Sequence, residues 1–210
     1  MRPRKISAAI LLFLIISNPS FAQENKKDSI AMTELGRTYL EKGDRSKALN
    51  TFSRAVKIDP DYPMAHFFLG KLHYLMRDYD DAISELNIFK EKMKPLLAAN
   101  KENTRTYIEC LYYIGEVYFT LERYDESRIE TEEILRIDPK EQDAHYNLGV
   151  YYYVREHNRS RAYNFFMKTI NIAPGTDIAK NAKYAIEFMR NNPDSRIAPD
   201  FSFINKEYKH

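Results

Sequence analysis

The sequence predicts an all-α chain, an α-solenoid of about four stacked helix pairs plus a C-terminal capping helix. Three observations predict it. A short block around a glycine recurs four times, with Gly36, Gly70, Gly115 and Gly149 lying 34, 45 and 34 residues apart. Within each block the apolar residues fall at helical spacing, as Leu35, Tyr39, Ala48, Phe52, Ala55 and Val56 do in the first. A proline closes each block, at Pro60, Pro95, Pro139 and Pro174, where it cannot continue a helix and forces a turn. One such pair cannot bury its apolar faces alone, so the pairs must stack.

Composition narrows the function classes. The chain has 210 residues, of which 44% are hydrophobic and 13% aromatic, too many for a disordered chain. Six Gly and nine Pro exclude collagen-like and Pro-rich classes. A single Cys excludes a disulfide framework and a Cys-based zinc site. Lys and Arg number 32 against 30 Asp and Glu, too even a balance for a nucleic-acid partner.

Residues 1–22 read as a signal peptide. Arg2, Arg4 and Lys5 form a basic start, Ile6 to Ile16 an apolar run, and Asn18-Pro19 break it. Ser20 and Ala22 place small residues before a cut after Ala22. The run is shorter than the ~20 residues that span a bilayer, although retention as an anchor is the rival reading. The segment holds three cations and no acid, so the rest of the chain carries 29 Lys and Arg against 30 Asp and Glu. The chain is therefore expected to be exported, periplasmic or secreted, with no transmembrane segment in its mature part. Residues 23–28 are expected to form a disordered linker.

The four blocks are Met32-Thr-Glu-Leu-Gly36, His66-Phe-Phe-Leu-Gly70, Leu111-Tyr-Tyr-Ile-Gly115 and His145-Tyr-Asn-Leu-Gly149, each followed three residues later by Tyr39, His73, Tyr118 or Tyr152. A second helix follows each block, with Ala48, Phe52 and Ala55, then Ala82, Leu86 and Phe89, then Ser127, Thr131 and Ile134, then Ala162, Phe166 and Thr169. The last set comes one residue late, so the turn near Glu156 to Arg159 is longer. Gly43-Asp44 reads as a helix stop followed by an N-cap, and Tyr62-Pro63 puts Pro at a first helical position. Glycine inside a helix costs about 1 kcal/mol against Ala. Four such losses point to a close approach of the paired helix.

These repeats, 29–62, 63–96, 108–141 and 142–176, with an insertion at 97–107, resemble the tetratricopeptide repeat family, in an exported bacterial form. The match is fullest at 29–62. Repeat 3 departs from the pattern at Ser127, Thr131 and Ile134, and repeat 2 puts Phe89 where Ala is usual. The resemblance implies a right-handed solenoid. Thr176 or Asp177 starts the capping helix 177–191, which turns Ile178, Ala182, Ala185, Ile186 and Met189 to one side. A tail of residues 192–210 follows.

No motif for catalysis or phosphate binding is present, so a non-enzymatic chain with no cofactor is expected. His66 and His73 lie two turns apart, but no third metal ligand has suitable spacing, so they read as helix-interface histidines. Cys110 reads as a packing thiol. The resemblance also implies a groove lined by the first helices. By the family's register it holds Arg37, Phe67, Lys71, Tyr74, Tyr112, Glu116, Phe119, Tyr146 and Tyr153. Rings at these places suit a bound protein segment, and they also suit packing alone. The carboxylate clamp of some members is missing, since Thr33, Arg37, Phe68, Glu109 and Tyr113 occupy its places. The expected function is a protein-binding module or scaffold of the cell envelope. The alternative is a self-associating structural subunit.

Overall fold

A computed structural model describes residues 19–193. Among them are nine α-helices, one short 3-10 turn and no strand. The chain divides into two compact units between Ile114 and Gly115.

In the first unit, α1 (Pro19–Glu41) pairs with α2 (Arg45–Ile58), and α3 (Pro63–Met76) pairs with α4 (Tyr79–Met93). Helix α3 also packs on α1 and α2. The core is built from Ala48, Phe52, Leu69 and Leu72, flanked by Tyr39, Leu40, Leu49, Val56 and Phe68. The buried Ser29 hydroxyl donates to the Ala55 carbonyl at 3.0 Å and ties α1 to the last turn of α2. Residues 23–28, expected as a disordered linker, are helical here and belong to α1. They contain neither Gly nor Pro, so nothing local stops the helix from growing outward, although almost all of them are exposed. The expected cut after Ala22 falls within α1, and the rest of the signal segment, 1–18, lies outside the described residues.

The insertion 97–107 is mostly helix. A 3-10 turn at Lys94–Ala99 leads to Asn100, whose side chain accepts from the Asn103 N–H at 2.8 Å and starts α5 (Lys101–Thr120). The Asn103 side-chain amide and the Thr104 hydroxyl reach back to the Leu96 and Leu97 carbonyls. The insertion thus lengthens the first helix of repeat 3, and Thr106 and Tyr107 are buried along it.

In the second unit, α6 (Tyr124–Ile137) packs on α7 (Gln142–Val154), and α7 pairs with α8 (Arg159–Ile172). Helix α9 (Asp177–Asn191) covers α8 and touches α7. The Thr176 hydroxyl accepts from the Ala179 N–H and caps α9. Ala179, Ala182, Ala185 and Met189 are buried, with Ile178 and Ile186 packed beside them. The residues of the tail beyond 193 lie outside the described residues.

Each pair turns at a residue with left-handed backbone: Gly43 (φ 77°), Arg77 (66°), Glu122 (58°) and His157 (51°). In the first, the Asp44 N–H reaches the Tyr39 carbonyl at 2.9 Å, which satisfies an orphan helix-end acceptor. The same bond recurs from Asp78 to His73 and Arg123 to Tyr118, and in the fourth pair, whose turn is one residue longer, a bond from Asn158 to Tyr152 takes its place.

Three of the four helix glycines sit where a side chain would collide. A Cβ at Gly36 would meet the Phe52 ring at 2.4 Å, at Gly70 Leu86 at 2.7 Å, and at Gly149 the Phe166 ring at 2.6 Å. Gly115 differs: nothing comes nearer than 3.7 Å. The expectation of a close approach at all four glycines therefore fails at this one. Repeat 3 has Thr131 where the others place Phe52, Leu86 and Phe166, and the smaller side chain leaves room.

Candidate functional site

The nine residues expected to line a groove divide by burial. Phe67 is 2% exposed, Tyr146 0%, Tyr153 5% and Tyr112 9%, whereas Arg37, Lys71, Tyr74, Glu116 and Phe119 are half-buried. The four buried rings are packing elements and offer little surface, which corrects their expected role as open lining. Phe67 stands among Phe89, Phe68 and Tyr113, at ring-centroid distances of 5.1, 5.2 and 6.3 Å. Tyr146 packs on Phe166 at 5.5 Å in the core of the second unit. Its hydroxyl is buried without a hydrogen-bond partner, and burial pushes its pKa well up. Phe67 and Tyr146 thus face the partner helix of their own pair.

The first unit carries a surface of cations laid on rings. The Arg37 guanidinium lies 5.0 Å from the centroid of the half-buried Phe68 ring. Phe68 in turn stacks on Phe52 at 5.7 Å with 13° between the planes. Lys71 Nζ lies 5.3 Å from the Tyr113 centroid and 5.9 Å from that of Phe67. Tyr74 meets Tyr113 at 5.0 Å. Cations in such positions are drawn to the negative ring faces.

Both cations already have acid partners. Arg37 donates to both Glu34 oxygens, at 3.0 and 3.1 Å, and Lys71 donates to Glu109 at 2.8 Å. Glu109 also accepts from the Tyr113 hydroxyl at 3.3 Å. The surface is therefore nearly neutral, and a ligand carboxylate would meet the acids as well as the bases. Phe68 and Tyr113 stand one place beyond the groove register. The signal for them was the doubled ring in Phe67-Phe68 and Tyr112-Tyr113; in the first pair Phe67 packs inward and Phe68 is half-buried, while in the second both rings are buried.

In the second unit, Phe119 meets Tyr124 edge-on at 5.2 Å and packs against the core beside Tyr146 and Tyr153. A second series of cations on rings runs along α7 and α8. Arg161 lies 5.2 Å from the Tyr152 centroid, Tyr152 stacks on Phe165 at 5.3 Å, and Lys168 lies 5.1 Å from the Phe165 centroid. Tyr151 donates to Asp125 at 2.7 Å. Burial, with Asp125 beside it, pushes its pKa up to about 12, so it stays a donor at any ordinary pH.

His66 and His145 each reach back to the turn before their own helix. His66 Nε2 lies 2.9 Å from the Pro60 carbonyl and His145 Nε2 lies 3.0 Å from that of Pro139. Cys110 is fully buried, its thiol directed at the Leu86 carbonyl at 3.4 Å. Among the described residues no cluster of His, Cys, Asp and Glu could hold a metal ion.

Two family models match the chain, one described as a TPR repeat over residues 36–76 and one as a tetratricopeptide repeat over 108–141. Anaphase-promoting complex subunit 3 of Schizosaccharomyces pombe is 35% identical over 69 residues. That stretch is 33% of this chain and 10% of the yeast protein, so the chain spans about a tenth of that relative's length. A crystal structure of MamA aligns with a TM-score of 0.60 at 23% identity, covering 77% of this chain and 85% of the other. MamA from Desulfovibrio magneticus RS-1 gives 0.58 at 21% identity, covering 74% and 81%. A tetratricopeptide repeat protein from Parabacteroides merdae gives 0.63 at 20% identity, covering 80% and 62%. The solved structures share the fold, an α-solenoid of paired helices. With both repeat models falling on the glycine blocks of paired helices, this chain carries tetratricopeptide repeats at 36–76 and 108–141.

Proposed function

We propose that the chain is a non-enzymatic adaptor of the cell envelope that binds a protein segment on the cation-on-ring surface of its first unit. Members of this family are typically non-catalytic interaction modules, and such repeats imply protein partners. The fold suggests an interaction scaffold, and the yeast relative is by its name a subunit of a complex. The observation that carries the reading is the half-buried array of Arg37, Phe68, Lys71 and Tyr74. Rings supply apolar contact area at low entropic cost, and the paired charges at their edges exclude mismatched partners. Among the described residues no helix is long and apolar enough to cross a membrane. Export rests on the pattern of residues 1–22.

The test is cross-linking in intact cells, with identification of the trapped protein and measurement of its affinity for purified variants. Phe68→Ala and Tyr74→Ala should each weaken binding by about 1–3 kcal/mol while circular dichroism stays unchanged. Charge reversal at Arg37 should do less, and its effect should shrink with salt. Unchanged affinity in both folded ring variants would move the site elsewhere. Mass spectrometry of the cellular protein tests export: an N-terminus at Met1 or Arg2 would overturn cleavage.

A further inference from the structure

Two repeats place a histidine in the same seat and give it different neighbours. His66 and His145 each point Nε2 at the carbonyl of the proline that closes the preceding repeat, Pro60 or Pro139. The two turns have the same build: Asp59 accepts from the Asp61 N–H at 3.0 Å, and Asp138 from the Lys140 N–H at 2.9 Å. The other ring nitrogen separates the two sites. His66 Nδ1 lies 2.6 Å from Glu85 Oε2, with 4% of the His66 side chain and 21% of the Glu85 side chain exposed. His145 Nδ1 is buried with no hydrogen-bond partner, and its ring lies 6.0 Å from that of Phe165. Glu85 and Phe165 hold equivalent places, three residues after Ala82 and Ala162.

An imidazole with one proton donates from one nitrogen and presents a lone pair from the other. At His145 a single proton on Nε2 satisfies the seat. At His66 a carbonyl faces one nitrogen and a carboxylate the other. One proton would leave a lone pair pressed against an oxygen, so a second proton is needed between Nδ1 and Oε2. The other charged groups at this seam are Lys92 on α4, which opposes an imidazolium, and Asp61 in the turn, which favours one. Lys92 and Asp61 are paired with each other at 2.5 Å.

We propose that His66 is a proton-dependent clasp. Doubly protonated, it joins the turn that closes the first repeat to the second helix of the next, and the seam loosens as the proton leaves. Burial pulls the His66 pKa down, but Glu85 and the Pro60 carbonyl outweigh it and hold the pKa above the ordinary 6.5. A folded-state pKa above the unfolded value means stability that is fully present below pH 6.5 and lost as pH rises through the folded pKa. Arg37 stands in the first repeat and Lys71 in the second, so the clasp would also set the spacing of the proposed docking surface. That last step rests on the adaptor reading, whereas the clasp does not.

The experiment is a pH titration of imidazole nitrogen shifts in the full chain, from about pH 5 to about pH 9. With five histidines the spectra are tractable. Both His66 nitrogens should read as protonated at low pH, with a midpoint above 6.5. In Glu85→Gln the midpoint should fall. The decline of Tm with rising pH should also be shallower in that variant than in the parent. A His66 that keeps one protonated nitrogen throughout, or that titrates at or below 6.5, overturns the clasp from the parent protein alone. Identical Tm profiles in the parent and a folded Glu85→Gln variant would overturn it as well. The titration does not depend on a partner, so failure of the adaptor reading would leave its result standing.

Discussion

Gly36 and Gly115 hold the same place in their repeats, but only Gly36 needs glycine. At Gly36 the Phe52 ring occupies the space of a Cβ, while at Gly115 that space is open. Gly36→Ala, Gly70→Ala and Gly149→Ala should each cost about 1–3 kcal/mol, as overpacking does. Gly115→Ala should instead gain up to about 1 kcal/mol, the helix propensity difference. Urea denaturation of the four variants measures this, and a loss at Gly115 equal to the others would show that the space for a Cβ there is filled. The left-handed turn residues follow a similar logic. Gly43 adopts its φ freely, but Arg77, Glu122 and His157 hold positive φ against a side chain, which costs each about 1–2 kcal/mol. They are kept there by the helix-end bonds they allow, such as the one from Arg123 to Tyr118 at 2.8 Å.

Helix α9 shows how a terminal element is specified. Its alanines at 179, 182 and 185 let it lie close on α8 and α7, and Met189 fills the end of the seam. The Thr176 cap starts it, and Gln142 of α7 ties the preceding turn by donating to the Thr169 and Ala173 carbonyls at 2.8 and 3.0 Å. Removal of residues 177–210 would uncover Phe166, Val150 and Tyr153, which α9 helps to bury. The truncated chain should therefore aggregate, and light scattering during expression and refolding checks this. A soluble truncation with unchanged Tm would show that α9 is not a cap. Thr176→Ala should cost about 1 kcal/mol through the lost N-cap.

Within each unit, the described helices that touch are one or two apart in sequence. Local contacts need little loop closure, so the main refolding phase should finish within about milliseconds. Stopped-flow fluorescence of the tyrosines measures it, and a dominant phase of seconds would contradict the local wiring. The repeat length, the turn prolines, the helix pairs and the capping helix were all legible in the sequence. Each is a local consequence of spacing: an apolar face every 3.6 residues, a proline that cannot extend a helix, a glycine under a neighbour's ring. The helical state of residues 23–28 was not legible, because polar residues without a breaker carry no sign of whether a helix grows through them. The direction of each groove ring was not legible either. Phe67 and Phe68 are chemically alike and adjacent, and only the positions of Phe89 and Phe52 on other helices decide that one is buried and the other half-exposed. The charge on His66 also belongs to the tertiary structure. Its sequence neighbours resemble those of His145, and the difference comes from Glu85, nineteen residues away, which folding brings within 2.6 Å.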